Sequence, residues 1–215
     1  MTTAHWYGNA LANSFGSGTE GNSPNIDFLS DDIRMALLAS SYTPDLDAHD
    51  FWNDASADEV SGTGYTANGE ALASKTLTVT AADSWGTTWA ASTAYSVGDI
   101  IRPTSGNGYV YRCVVAGTSG GSEPTFSTVA YQTTTDNTVT WATIGVVVIQ
   151  FDAANVSWAS STITARYAII YDRTPATDAT RPLIWLIDFE SDQSTTNGTF
   201  QVNINSLGLG VMTSF

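Results

Sequence analysis

Apolar and polar residues alternate with a period of two over several stretches of this chain, the repeat of a strand with one face in a core. The alternation runs through 72–80, where Leu77 and Val79 alternate with Thr76, Thr78 and Thr80. Strand-type runs return at 146–151, 156–158, 162–171, 183–189 and 199–204. Turn residues separate them: Ala153-Ala154-Asn155, Arg173-Thr174-Pro175 and Asn197-Gly198. One stretch carries helical signals instead. Ser30 can cap, Asp31 and Asp32 suit the positive N-terminal end of a helix dipole, and Pro44 disfavours a helical Thr43. These signals predict a helix over 30–40. A strand stays open there, because Ile33, Met35 and Leu37 alternate with Arg34 and Ala36. Many short β segments between turns predict a mostly β chain: a β-sandwich or barrel-like main domain with one short helix, plus a small inserted β module.

The texture also divides the chain. Residues 1–28 are rich in Gly, Asn and Ser and read as an extended N-terminal arm, with one short strand near 6–11. Residues 82–145 are dominated by small residues, aromatics and turns. Without them, 72–80 and 146–151 would read as one hairpin, which is how a domain inserted at a loop tip looks in sequence. The expected organisation is therefore an arm over 1–28, a discontinuous main β domain over 29–81 and 146–215, and an inserted module over 82–145.

Charge narrows the partners. Only 13% of the 215 residues are charged and the net charge is −14, against a usual charged share of about a quarter. The basic residues are Lys75, Arg34, Arg102, Arg112, Arg166, Arg173 and Arg181, too few and too scattered to follow a phosphate backbone. An anionic membrane surface would repel such a chain. Neither nucleic acid nor membrane is expected as a partner. The single cysteine, Cys113, allows no intramolecular disulfide and reads as a small buried hydrophobe. The start, Met1 to Trp6, has no basic stretch followed by an apolar run, so no secretory signal is expected. The apolar run 183–187 is too short to span a bilayer. A cytoplasmically made protein that ends up in a particle fits these absences.

Within 82–145 a spaced pattern stands out. Trp89 is followed by Tyr95-Ser96-Val97-Gly98-Asp99, then Gly108-Tyr109-Val110-Tyr111-Arg112-Cys113, Gly120-Gly121, Pro124 and Thr140-Trp141. This resembles small carbohydrate-binding modules of the chitin-binding type, and related short modules of phage virion proteins, over roughly 60 residues. It departs from them in the polar stretch 127–137. The resemblance implies a three-stranded β unit and a sugar site built on Tyr95, Tyr109, Tyr111 and Trp141. Sugar rings present apolar C–H faces that stack on such aromatics while their hydroxyls take hydrogen bonds. The competing use of the same side chains is as core, which a domain this small needs.

The outer segments carry a second likeness. It lies in Trp6-Tyr7-Gly8-Asn9-Ala10-Leu11, the run from Asp32 to His49, Glu59 to Gly69, Phe151-Asp152-Ala153, Val156-Ser157-Trp158, Thr162 to Ala168, and Asp188-Phe189 with Asp192-Gln193-Ser194. Together these resemble a recurrent family of tailed-phage virion proteins, over nearly all of the chain outside 82–145. The resemblance implies a capsid decoration or cement protein on the outer surface of the virion. It stabilises the head, displays the insert outward, and has the major capsid protein and copies of itself, in a symmetric homo-oligomer, as partners. The alternative is a tail fibre or tail-tip adhesin that binds host surface glycan through the insert.

Candidate chemistry changes this picture little. Asp45, Asp47, His49, Asp50 and Asp54 are dense, but lack the central Gly and terminal Glu of an EF-hand loop. The match Gly117-Thr118-Ser119-Gly120-Gly121 is followed by Ser122-Glu123-Pro124 rather than by the helix a nucleophile elbow needs. Gly62-Thr63-Gly64 and Gly106-Asn107-Gly108 lack the Lys and the strand–helix setting of a phosphate loop. No catalytic residue, metal site or cofactor is expected, and the chain is read as no enzyme. Arg166 is expected to pair with Asp188 or Asp172, as a structural or subunit contact. Trp6, Trp52, Trp158 and Trp185 complete the expected core or interface anchors.

Overall fold

The computed structural model describes residues 3–7, 26–81, 84–145 and 147–214. Its strands are β1 (Thr3–Trp6), β2 (Ile33–Leu38), β3 (Glu70–Ala71), β4 (Thr76–Ala81), β5 (Thr87–Thr88), β6 (Ala94–Tyr95), β7 (Ile100–Arg102) and β8 (Val110–Val115). They continue with β9 (Gly117–Thr118), β10 (Thr133–Asp136), β11 (Val139–Gly145), β12 (Val147–Asp152), β13 (Val156–Asp172), β14 (Leu183–Val202) and β15 (Gly210–Ser214). The mostly β class holds. Among the described residues no α-helix occurs and no sheet closes into a barrel. Two compact units emerge: Met1–Thr76 with Asp152–Leu209, and Leu77–Phe151 with Gly210–Phe215. The divisions fall near 76 and 151 rather than 81 and 145, and 210–215 goes with the second unit. Of the arm expected over 1–28, residues 1–2 and 8–25 lie outside the described residues, and with them most of the strand expected near 6–11; the strand described in the arm is β1.

The first unit is built on one five-stranded antiparallel sheet, ordered β1-β14-β13-β2-β3. Residues directly opposite one another across a pair share a face. Trp6, Trp185, Ile170 and Met35 lie in one such row. Trp6 and Trp185 meet at 4.3 Å between ring centroids, and Phe28 sets its edge against Trp185 at 5.8 Å. On the opposite face Trp52 stacks on Tyr171 at 4.4 Å with the planes 9° apart, and Tyr42 meets Tyr167 edge-on. Covering both faces buries β2, the end of β13 and the start of β14 almost completely. Each large side chain so buried contributes about 1.5–3 kcal/mol.

That double burial explains why 33–38 is a strand and not part of the helix expected over 30–40. Ile33, Met35, Ala36, Leu37 and Leu38 are all buried, so the segment has a continuous apolar run in place of a clean alternation. The acidic residues before it shape a turn. Asp27 Oδ1 accepts the N–H groups of Leu29 and Ser30, and Asp31 Oδ2 accepts that of Asp27.

Beyond the sheet, β13 and β14 continue as a two-stranded ribbon in which Val156 faces Val202 and Trp158 faces Phe200. Asn197-Gly198 is no turn but part of β14, with Asn197 at φ 49°. Along β13, Val156, Trp158, Ser161, Ile163 and Ala165 are buried. Part of their cover is the 60–65 segment: Thr63 bridges to Thr162, and Tyr65 lies 5.8 Å from the Trp158 ring.

Residues 59–69 are tied to β2 through side chains. Tyr65 donates its hydroxyl to Glu59 Oε1 at 2.7 Å and accepts the Leu37 N–H at 3.0 Å, while Glu59 Oε1 also accepts the Asn68 N–H. Tyr171 donates its hydroxyl to Asn68 O. Gly69 closes this turn at φ 67°, and a Cβ there would stand 2.0 Å from the carbonyl oxygen of Met35.

The second unit contains a five-stranded sheet ordered β10-β11-β8-β7-β5, a β6–β9 pair, and a three-stranded sheet ordered β15-β12-β4. β5 and β7 run parallel, whereas β10–β11, β11–β8, β8–β7, β6–β9 and β12–β15 pair antiparallel. The chain enters this unit along β4 and leaves along β12, its neighbour in the three-stranded sheet.

Gly69→Ala is expected to destabilise the first unit by about 1–3 kcal/mol, because it combines positive φ with a backbone clash. Gly121→Ala, where nothing lies within 4 Å of the added methyl, is expected to stay within about 0.5 kcal/mol. Urea denaturation followed by circular dichroism compares the two.

Candidate functional site

The residues picked out over 82–145 meet in one small core. Trp89, Ile101, Tyr111, Cys113, Phe126, Val139 and Trp141 form it, with Tyr95 and Tyr109 packed half-buried against it. β8 and β11 pair so that Cys113 faces Trp141, and their alternation turns Val139, Trp141 and Thr143 inward. Tyr111 stacks on Phe126 at 4.4 Å. Its hydroxyl donates to Ser127 O at 3.0 Å and accepts from Asn107 Nδ2 at 2.7 Å. Burial pushes this phenol above its ordinary range. Tyr95 sets its edge on Trp141 at 4.8 Å and accepts the Ala90 N–H through its hydroxyl.

At the centre lies Asp136, 3% exposed. Its Oδ2 accepts the indole N–H of Trp89 at 2.8 Å and that of Trp141 at 3.2 Å, and its Oδ1 accepts the Gly120 N–H at 2.7 Å. One carboxylate thus satisfies two buried indoles and a loop backbone, as a buried acid group requires. A methyl on Gly120 would stand 3.0 Å from Asp136 Oδ1, so the glycine permits this approach. Asp136 lies inside the polar stretch 127–137 where the module pattern departs. Its only sequence signal was an acidic residue among hydroxyl residues shortly before Trp141.

These contacts decide what the four expected sugar-stacking residues can offer. Tyr111 and Trp141 are 0% exposed, so neither presents a face to a sugar; both are core, because a unit this small has few other large side chains to bury. Tyr95 and Tyr109 show only part of their rings. Among the described residues of this unit the well-exposed aromatic is instead Tyr131, 80% exposed at φ 60°, near Val129 at 60%.

Other marked residues brace structure. Ser119 is buried; its hydroxyl donates to Ala90 O at 2.7 Å and accepts the Thr93 N–H at 2.9 Å. The Cys113 thiol is buried, pushed up by that burial and then by the charge of Asp99, and bonded to Val115 O. In the acidic loop, Asp45 Oδ1 accepts the N–H groups of Asp47 and Ala48, and Asp54 Oδ2 those of Asp50 and Phe51. Among the described residues no three His, Cys, Asp or Glu side chains converge as metal ligands. His49 Nδ1 bonds the Tyr42 hydroxyl at 2.8 Å, which bonds that of buried Tyr7 at 2.9 Å. Burial, then the bond to Tyr42, holds the Tyr7 phenol far above its usual range.

Of the anchors of the first unit, Trp6, Trp158 and Trp185 lie on strands, and Trp52 opens a 3-10 turn, Trp52–Asp54, and stacks on Tyr171 of β13. Trp52, Trp158 and Trp185 are 1% exposed and Trp6 is half-buried. Arg166 pairs with Asp188 at 2.9 Å, rather than with Asp172, and lies 5.3 Å over the Tyr167 ring. Asp172 is buried, and its Oδ1 accepts the Thr174 N–H. Desolvation first, and the neighbouring Asp31 in addition, hold its carboxyl above the ordinary carboxylate range.

Two measurements test these assignments. Asp136→Ala leaves three N–H groups without their acceptor and is expected to cost the second unit at least about 3 kcal/mol. Asp136→Asn also destabilises, because its NH2 must face a donor on one side; chemical denaturation of both variants checks this. For Asp172, a raised folded pKa means that the folded chain holds the proton more tightly than the unfolded chain. This group's contribution is therefore present at low pH and lost as pH rises through the raised value. Asp172→Asn is expected to remove that component, so the variant gains on the wild type as pH rises from about 4 to neutral. Urea midpoints across that range read the difference.

No family model, curated protein or solved structure matches this chain.

Proposed function

We propose that this chain is a non-enzymatic structural protein of a tailed-phage particle, a decoration or cement protein that binds the major capsid protein and copies of itself on the outer surface of the head. The observation that carries this reading is where the residues of the virion-protein likeness sit. Tyr42 and His49 form the chain to buried Tyr7. Glu59, Tyr65 and Gly69 clamp β2. Trp158 is buried on the ribbon, and Arg166 pairs with Asp188. The likeness therefore falls on fold-determining positions, which supports a shared scaffold more strongly than matches on solvated loops would. It rests on these motifs and on no matched relative.

The surface chemistry agrees with the role. A surface rich in Ser, Thr and Asn offers neutral hydrogen-bonding groups for contacts between subunits, and the net charge of −14 keeps the free chain soluble before assembly. Shells are symmetric, and a protein that bridges their subunits stabilises them by burying surface at every repeat. Burial of Tyr111 and Trp141 counts against the adhesin reading in the form that uses those two residues.

Removing 82–145 separates the two readings. β4 and β12 are neighbours in one sheet, so a short turn can rejoin them. Particles carrying the shortened chain are expected to hold it at an unchanged copy number, by quantitative gel or mass spectrometry. Particles lacking the chain altogether are expected to release DNA at a lower temperature. Loss of the shortened chain from particles, with its first unit still folded, contradicts the decoration reading. Adsorption to host cells that depends on Tyr95 and Tyr109 supports the adhesin.

A further inference from the structure

The outer half of β14 is bent. Glu190 and Asn197 hold φ of 66° and 49°, and Ser160 on the paired strand holds 51°; the register slips beside Ser161. Bulges of this kind bend a strand and re-aim its side chains. Here the bent segment lines a trough of about 430 Å3, within the roughly 300–1,000 Å3 of small-ligand clefts. Phe200 is 4% exposed, and half-buried Phe189 lies 6.0 Å from it between ring centroids. Val202 adds to the apolar lining, and the rest is amide and hydroxyl: Gln193, Ser194, Thr195, Thr199, Gln201 and Asn203. No charged side chain lines it.

The amides are held in place. Gln201 Nε2 and Asn155 Nδ2 both donate to Asn203 Oδ1, and Gln193 Nε2 donates to Ser191 O and Oγ. Thr195 shares a hydroxyl bond with buried Ser161. These bonds set the amide planes, while Gln193 Oε1, Gln201 Oε1 and Asn203 Nδ2 have no partner among the described residues. The trough thus combines aromatic rings with exposed neutral acceptors and donors, each on an amide bonded at its other end.

That combination selects a ligand class. A phosphate or carboxylate would find no cation in the lining, and a hydrocarbon chain would leave the amides unpaired. An added peptide strand needs a continuous row of edge groups, which the positive-φ positions at Glu190 and Asn197 interrupt. A neutral sugar meets both halves, with a C–H face for Phe189 and hydroxyls that donate to the Gln oxygens and accept from Asn203. We propose that the outer half of β14 is a binding trough for a neutral saccharide. The site goes beyond the particle role and stands or falls separately from it.

The test is a titration of the isotope-labelled full chain, followed by backbone amide resonances. The probes are neutral hexasaccharides of glucose, mannose, galactose and N-acetylglucosamine, a charged hyaluronan hexasaccharide, and an extended Thr/Val-rich octapeptide. At least one neutral hexasaccharide is expected to shift residues 189–203 saturably at millimolar concentration or below. Phe189→Ala is expected to weaken it at least about tenfold. Gln201→Ala, on an exposed side chain, keeps the test alive if the phenylalanine variant does not fold, and is expected to weaken binding about threefold to tenfold. The proposal is overturned if no neutral probe binds at about 10 mM, if the shifts map to 77–151, or if only the charged probe or the peptide binds here. It is overturned equally if the folded variants bind as the wild type does.

Discussion

β13 and β14 keep one antiparallel pairing from Tyr171 opposite Leu183 to Val156 opposite Val202, with bulges absorbed along the way. The rest of the first unit hangs on that pairing. β1 docks on one side of it and β2 on the other, and the row Trp6, Trp185, Ile170, Met35 exists only in this register. A slip of one residue would turn Ile170 and Trp158 to the wrong faces. Tyr171, stacked on Trp52 and bonded to Asn68 O, ties the covering loops to the same strand. The hairpin therefore sets the sheet, the position of the 59–69 clamp and the bent ribbon beyond them.

In the second unit the corresponding constraint is a buried carboxylate. Aromatic side chains supply most of the volume of its core, yet each indole brings an N–H that must be satisfied. Asp136 satisfies two of them and a backbone N–H with one side chain. The aromatics of the carbohydrate-module pattern are thereby committed inward. What this unit shows a partner lies in exposed side chains such as Tyr131, Val129 and Val97 and in the partly exposed rings of Tyr95 and Tyr109, and not in Tyr111 or Trp141.

Legibility followed solvent exposure. Segments with one wet face, such as 162–167, alternate and were readable as strand. Residues 33–38 are covered on both faces, so their two-residue alternation is blurred by buried Ala36 and Leu38, and the polar flanks suggested a helix cap. Residues 190–199 fail the opposite way: solvent reaches most of them on both faces, so they carry no apolar repeat although they continue β14. The partner of Arg166 was narrowed to two aspartates by sequence and resolved to Asp188 only by register, since Tyr167 pairs with Asp188 across the strands. The indole-binding role of Asp136 could not be read at all, because it depends on contacts between residues 47 positions apart in the chain.

The central claim is a place on the phage head, and cryo-electron microscopy of tailed-phage particles made with and without this chain tests it most directly. The account predicts density repeated with the symmetry of the head lattice, absent when the chain is absent, with the five-stranded sheet of the first unit fitting it next to the major capsid protein. Density confined to the tail or a fibre tip, or no difference between the two preparations, would contradict it.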